Sequence, residues 1–198
     1  DLHSFPTRRS SDLAWSMLYP WIGTEQDVSK AVACFNDAAQ RGVPEAQYEL
    51  GVCYRRGEGV EQDIKAALYW YEKAASQGYL RAYHNIGIIY QRGLGGIPTD
   101  YNKAFNYFMK AANEESTESY FCIGNCYLNG LGVEKTKEAA RWFLKAAELG
   151  EPDSMFHLAW MYQEGIGVEP NSELSTEYLY KAAEAGWEPA IRIIKGED

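Results

Sequence analysis

Between residues 44 and 56, small and apolar side chains fall at Ala46, Leu50, Cys53 and Tyr54, with mostly polar or mixed positions between them. That spacing lays one apolar stripe along a helix of 3.6 residues per turn. Pro44 suits the first turn, where its missing N–H has no intrahelical partner to lose. The pattern predicts a helix over residues 44–56, here helix A. Gly57 closes it, because glycine enters the left-handed region without steric cost, and Gly59 gives the following turn freedom. Val60 is expected to tuck back under that turn. Asp63 is placed to cap a second helix, helix B, over residues 65–75. Its alanines let helices approach closely, while Trp70 and Tyr71 fill the space between units. Gly78 ends it.

This block is then written again and again. Tyr54, Tyr90, Tyr127 and Tyr162 follow one another at intervals of 36, 37 and 35, and Gly57, Gly93, Gly130 and Gly165 repeat those intervals. The alanine pairs beginning at Ala38, Ala74, Ala111, Ala146 and Ala182 step in the same register. Self-similarity at this period means one helical hairpin copied in series, each copy burying the apolar face of the next. The expected units are a partial repeat at 14–42, repeats at 43–78, 79–115, 116–150 and 151–186, and a further helix or cap at 187–198. The third copy carries an extra residue around Gly96, Ile97 and Pro98; the fourth is one shorter around Glu134, Lys135 and Thr136. Gly51, Gly87 and Gly124 sit inside helix A, where glycine costs about 1 kcal/mol relative to alanine. A repeated cost implies a repeated gain, expected to be close contact between helix backbones. Ala159 stands at the equivalent place in the last copy, which fits a requirement for a small residue.

Residues 1–13 read DLHSFPTRRSSDL and belong to no repeat. They resemble the translation of a sequencing adaptor and are set aside from fold reasoning. The native N-terminus is therefore expected to be missing. Residues 14–22 read as a truncated helix A interrupted by Pro20. At the other end, Ile191, Ile193 and Ile194 are expected either to form a short cap or to begin a longer array.

The pattern Ala-x3-Leu-Gly-x2-Tyr-x2-Gly-x-Gly-Val, then Lys-Ala-x3-Trp-x3-Ala-Ala-x2-Gly, resembles the Sel-one-like repeat (SLR), a relative of the tetratricopeptide repeat. Ala46, Leu50, Gly51, Tyr54, Gly57, Gly59, Val60, Lys65, Ala66, Trp70, Ala74, Ala75 and Gly78 carry the match. The resemblance implies an all-α, right-handed α-solenoid of antiparallel helix pairs. It also implies an adaptor role in signalling, quality control or host–microbe contact, with helix A lining the concave side.

A second stripe on helix A then becomes the candidate site. It comprises Tyr48, Val52 and Arg55; His84, Ile88 and Gln91; Phe121, Asn125 and Leu128; and Phe156, Trp160 and Gln163. The packing positions repeat almost letter for letter, whereas this stripe differs in every copy. Architecture demands sameness, while a surface fitted to one ligand demands difference. The stripe is expected to floor a groove for a peptide or protein segment, with aromatic anchors and polar neighbours. Arg55 and Arg56 are available to pair with an acidic group at one end. The competing reading is that the aromatics pad adjacent helices.

Composition narrows the remaining options. The chain is 46% hydrophobic and 24% charged, as globular chains are. Its net charge of -9 disfavours nucleic acid and anionic lipid as partners. No apolar stretch approaches a membrane span. Cys34, Cys53, Cys122 and Cys126 follow no repeat period and read as buried free thiols, which with the lack of glycosylation sequons favours the cytoplasm. The Gly-x-Gly turns look like phosphate loops, but they follow helices and lack the Gly-Lys-Ser/Thr ending, so no nucleotide cofactor is expected. Cys122, Cys126 and His157 suggest a metal, yet equivalent positions on neighbouring helices lie roughly 8–10 Å apart, too far for shared ligation. No nucleophile has an oriented base, so no catalytic residue is expected. The alternatives are a lumenal quality-control subunit or a secreted bacterial effector, both needing an upstream signal peptide, and a hydrolase using the groove.

Overall fold

The computed structural model describes residues 25–112, 116–134 and 137–196, with no side-chain detail for 25–27. The expectations for residues 1–22, and for Lys135 and Thr136, lie outside the described residues. Among the described residues there are ten α-helices, one short 3-10 turn at Leu94–Gly96 and no strand. The helices are α1 Glu25–Gln40, α2 Pro44–Arg56, α3 Ile64–Ser76, α4 Leu80–Arg92, α5 Tyr101–Ala111, α6 Thr117–Asn129, α7 Glu138–Glu148, α8 Pro152–Glu164, α9 Ser172–Glu184 and α10 Glu188–Lys195. They fall into two compact units, Asp1–Thr99 and Asp100–Asp198. Within the first unit α1, α2, α3 and α4 pack each on the next; within the second, α5 to α10 do the same.

Local chemistry sets these elements. Helix α2 begins at Pro44 and ends at Gly57, whose φ of 73° lets its N–H reach the Cys53 carbonyl at 2.8 Å. Asp63 caps α3, its Oδ1 accepting from the Lys65 and Ala66 N–H groups at 2.9 and 3.0 Å. Asp100 and Asn171 cap α5 and α9 in the same way. Each cap satisfies donors that the first turn leaves without an intrahelical acceptor.

The core of the first unit gathers Phe35, Leu50, Tyr71 and Ile86; that of the second gathers Ile123, Phe143, Leu158 and Met161. Ala67 and Ala74 in the first unit and Ala139 and Ala146 in the second are fully buried. One buried polar side chain, Gln47, is satisfied on both sides. Its Nε2 donates to the Ala39 carbonyl at 3.1 Å and its Oε1 accepts from Gln77 at 2.8 Å. It thus ties α2 to α1 and to the end of α3.

Two glycine expectations need correcting. A Cβ on Gly51 would lie 2.7 Å from the Tyr71 ring, and one on Gly124 would lie 2.8 Å from the Phe143 ring. The nearest neighbour of these mid-helix glycines is therefore an aromatic ring on the following helix; at Gly51 the backbone of that helix is close as well, with the Ala67 carbonyl oxygen 3.2 Å from such a Cβ. Gly59 also does more than loosen its turn. A Cβ there would meet Val32 at 2.9 Å and Val28 at 3.0 Å on α1. Gly95 stands likewise against Ile64 of α3, Gly132 against the Tyr101 backbone of α5, and Gly167 against Lys137. The second glycine of each turn is where that turn lies on the start of the preceding helix B.

Candidate functional site

In the first unit the stripe runs along α2 and α4. Tyr48, Val52, Arg55, His84, Ile88 and Gln91 are all half-buried, beside the fully buried Ala46 and Leu50. Tyr48 is drawn into packing. Its ring lies 5.6 Å from Tyr71 and 5.0 Å from Tyr79, and its hydroxyl accepts from Asn85 Nδ2 at 3.1 Å. Burial raises the Tyr48 and Tyr79 hydroxyls above their ordinary pKa.

The two neighbouring arginines separate. Arg56 is exposed and paired with Glu58 at 3.3 Å. Arg55 is half-buried, and its Nε donates to the Tyr71 hydroxyl at 3.3 Å. Of the two, only Arg55 has no acidic partner within ion-pair distance among the described residues. Nearby, burial pushes the Glu49 carboxyl up from 4.5 to about 7, opposed by Arg81 and Arg56.

In the second unit the stripe runs along α6 and α8. Phe121 lies 5.9 Å from the Phe143 ring and edge-on to His157 at 5.5 Å. His157 stacks on Phe143 at 4.9 Å, and its Nδ1 meets the Asp153 carbonyl at 2.8 Å. Leu128 is only 8% exposed and joins the core, so it supplies packing where a groove floor was expected. Asn125 and Phe156 are half-buried and Gln163 is exposed. Trp160 is 44% exposed, an apolar surface that folding leaves in water. Gln163 also borders an open cleft of about 470 Å³ with Tyr162, Pro170 and Asn171. A cleft of about 490 Å³ recurs at the equivalent place beside Tyr54, Gln62 and Asp63. The repeat architecture makes both.

The partners that sequence reading missed follow one rule. Tyr48 and Phe121 occupy the same repeat position; Asn85 and His157 occupy the next position one repeat later. In both pairs the first stripe position touches the residue after its own equivalent on the following helix A of the same unit. The signal was present in the register, but the offset of one is visible only in three dimensions.

Other chemistry finds little purchase among the described residues. Burial pushes the Cys53 thiol up to about 12 and the Cys126 thiol up to about 11. Both stay protonated at neutral pH, the form that is neither nucleophile nor ligand. The described cysteines are free, and no group of three His, Cys, Asp or Glu side chains there is placed to hold a metal ion. No helix among the described residues is long and apolar enough to cross a membrane.

The Sel1 repeat family profile matches residues 12–43, 44–79, 80–116, 118–151 and 152–187. No curated protein matches the chain. Among solved structures, c5321, a protective antigen present in uropathogenic Escherichia coli strains and displaying an SLR fold, is 34% identical with a TM-score of 0.85. That match covers 93% of this chain and 39% of the c5321 chain. A Sel1 repeat protein from Oxalobacter formigenes is 28% identical, again with a TM-score of 0.85, over 94% of this chain and 76% of its own. Immunity protein Pa5087 from Pseudomonas aeruginosa, 20% identical with a TM-score of 0.59, covers 95% of this chain and 70% of its own, and shares the fold alone. The fold class is thus that of the all-α SLR solenoids.

Proposed function

The chain belongs to the Sel1 repeat family, and from that premise we propose that it is a non-catalytic scaffold that docks an extended polypeptide segment on the helix-A stripe of each unit. Sel1 repeat proteins generally act as protein-interaction scaffolds. The finer reading rests on one observation above all. Trp160, on a helix whose other face is buried, keeps 44% of its surface exposed at a position that differs in every repeat. Leaving an indole in water forgoes burial that would favour folding, and such side chains are the usual anchors of polypeptide recognition.

The docking surface in the second unit is Asn125, Phe156, Trp160 and Gln163. An aromatic anchor beside two side-chain amides suits an extended chain, whose backbone offers donors and acceptors in alternation. In the first unit it is Val52, Arg55, Ile88 and Gln91. Tyr48 and Phe121 are better read as supports, since rings of neighbouring helices already cover them. The padding reading therefore applies to Tyr48, Phe121 and Leu128, and the docking reading to the positions named for the two surfaces.

The test pairs two substitutions on an array of short synthetic peptides. Trp160→Ala is expected to lose the peptides captured on the second unit, with helicity by circular dichroism unchanged. Phe121→Ala is expected to lower the unfolding temperature. Capture undiminished in Trp160→Ala overturns the proposal.

A further inference from the structure

Arg55 stands apart from the rest of the stripe. Its side chain is half-buried, yet among the described residues no carboxylate lies within ion-pair distance of it. This happens in a chain with 28 acidic residues against 19 basic ones, where partners are abundant. Its neighbour Arg56 has found one in Glu58. Packing does not require a cation here, because the other repeats hold Gln91, Leu128 and Gln163 at this position. A guanidinium drawn partly out of water loses some hydration, and the Tyr71 hydroxyl restores a partner at Nε alone.

The geometry also fixes how that partner would arrive. Tyr71 is fully buried, and its hydroxyl holds the Nε edge of Arg55 at 3.3 Å. Such an anchor limits the rotation of a long side chain, which otherwise loses much rotamer freedom on binding. The two terminal nitrogens remain as a planar fork, whose spacing matches the two oxygens of one carboxylate. A phosphate dianion draws on several cations, whereas Arg56 is engaged by Glu58 and the Arg81 charge already acts on the Glu49 carboxyl. The second unit's stripe, from Phe121 to Gln163, carries no charged residue, so the demand is local to the first unit.

We propose that Arg55 is a carboxylate receptor, and that the segment docked on the first unit places an Asp or Glu side chain against its terminal nitrogens. This rests on the docking reading given above and adds the chemistry of the partner to it.

The test uses the full chain and its Arg55→Gln variant, glutamine being what two other repeats carry there. Both are applied to short synthetic peptides of mixed composition, N-acetylated and tethered through their C termini, so that only side chains offer a carboxylate. Peptides still retained when Trp160 is replaced by alanine, and so held on the first unit, are expected to share an acidic position. Changing that residue from Glu to Gln is expected to weaken binding about tenfold on the wild-type chain and to change little on Arg55→Gln. The peptide exchange on the wild-type chain alone decides the matter if the variant does not fold. First-unit peptides without an acidic position, or an equal loss on both chains, overturn the receptor and leave docking standing. A chain that retains no peptide overturns docking and the receptor together.

Discussion

Gly51 and Gly124 lie where a methyl group would press into the ring of Tyr71 or Phe143. The last copy supplies the natural control, with Ala159 in the glycine position and Leu179 in the ring position. Alanine is the better helix former by about 1 kcal/mol, yet overpacking typically costs about 1–3 kcal/mol. Gly124→Ala is therefore expected to destabilise the protein in denaturant unfolding, and Phe143→Leu in the same chain is expected to recover part of that loss. Additive losses in the double variant would refute the ring account. The sequence shows that a small residue is needed at this position but not what it faces, because the ring comes from a helix some twenty residues away. Glu49 carries a second residue-scale prediction. Its folded pKa, about 7, is raised above the ordinary 4.5, first by burial. The folded state takes up the proton more readily than the unfolded chain, so stability is lowest above pH 7 and rises as pH falls from about 7 towards 4.5. Relative to Glu49→Gln, the gain is expected to be on the order of 1 kcal/mol once solvent screening of this half-buried group is allowed for. Matching pH profiles for the two proteins would contradict it.

At the scale of elements, caps and turns decide where each helix begins and how hairpins meet. Asp63 binds two orphan N–H groups of α3, and its loss is expected to cost about 1 kcal/mol. Asp63→Ala should speed amide exchange at Lys65 and Ala66 before it affects α2. Unchanged exchange there would show the cap to be idle. The turn glycines allow a controlled comparison. Gly59 and Gly78 both have positive φ, 69° and 85°, but only Gly59 faces another helix. Alanine carries the same backbone strain at both, so the extra loss in Gly59→Ala isolates contact with α1. That difference is expected to be about 1 kcal/mol or more by thermal unfolding. The start and end of α2, the left-handed Gly57 and the Asp63 cap were all legible in sequence, because each depends on residues close in the chain. The docking of each turn onto an earlier helix was not, because its partner lies roughly one repeat away. For the same reason the sequence could not tell Arg55 from Arg56. Glu58 and Tyr71 decide between them, and only one of those is near in sequence.

At the scale of the whole molecule, one hairpin copied in series commits some helix positions to packing and releases others. Ala46, Leu50 and Ile123 are committed; Val52, Arg55, Asn125 and Trp160 are not. The variable stripe was legible as a pattern, but its division into supports and exposed positions depends on the one-residue offset between successive helices. Leu128 shows the difference, reading as stripe and folding as core. The claim that the released positions recognise another polypeptide is tested most directly by following backbone amide resonances of the full chain while a peptide retained on the array is titrated in. The account predicts that shifts concentrate at Val52, Arg55, Ile88 and Gln91, or at Asn125, Phe156, Trp160 and Gln163. Shifts centred instead on the helix-B lysines Lys73, Lys145 and Lys181, with those stripe positions unmoved, would contradict it.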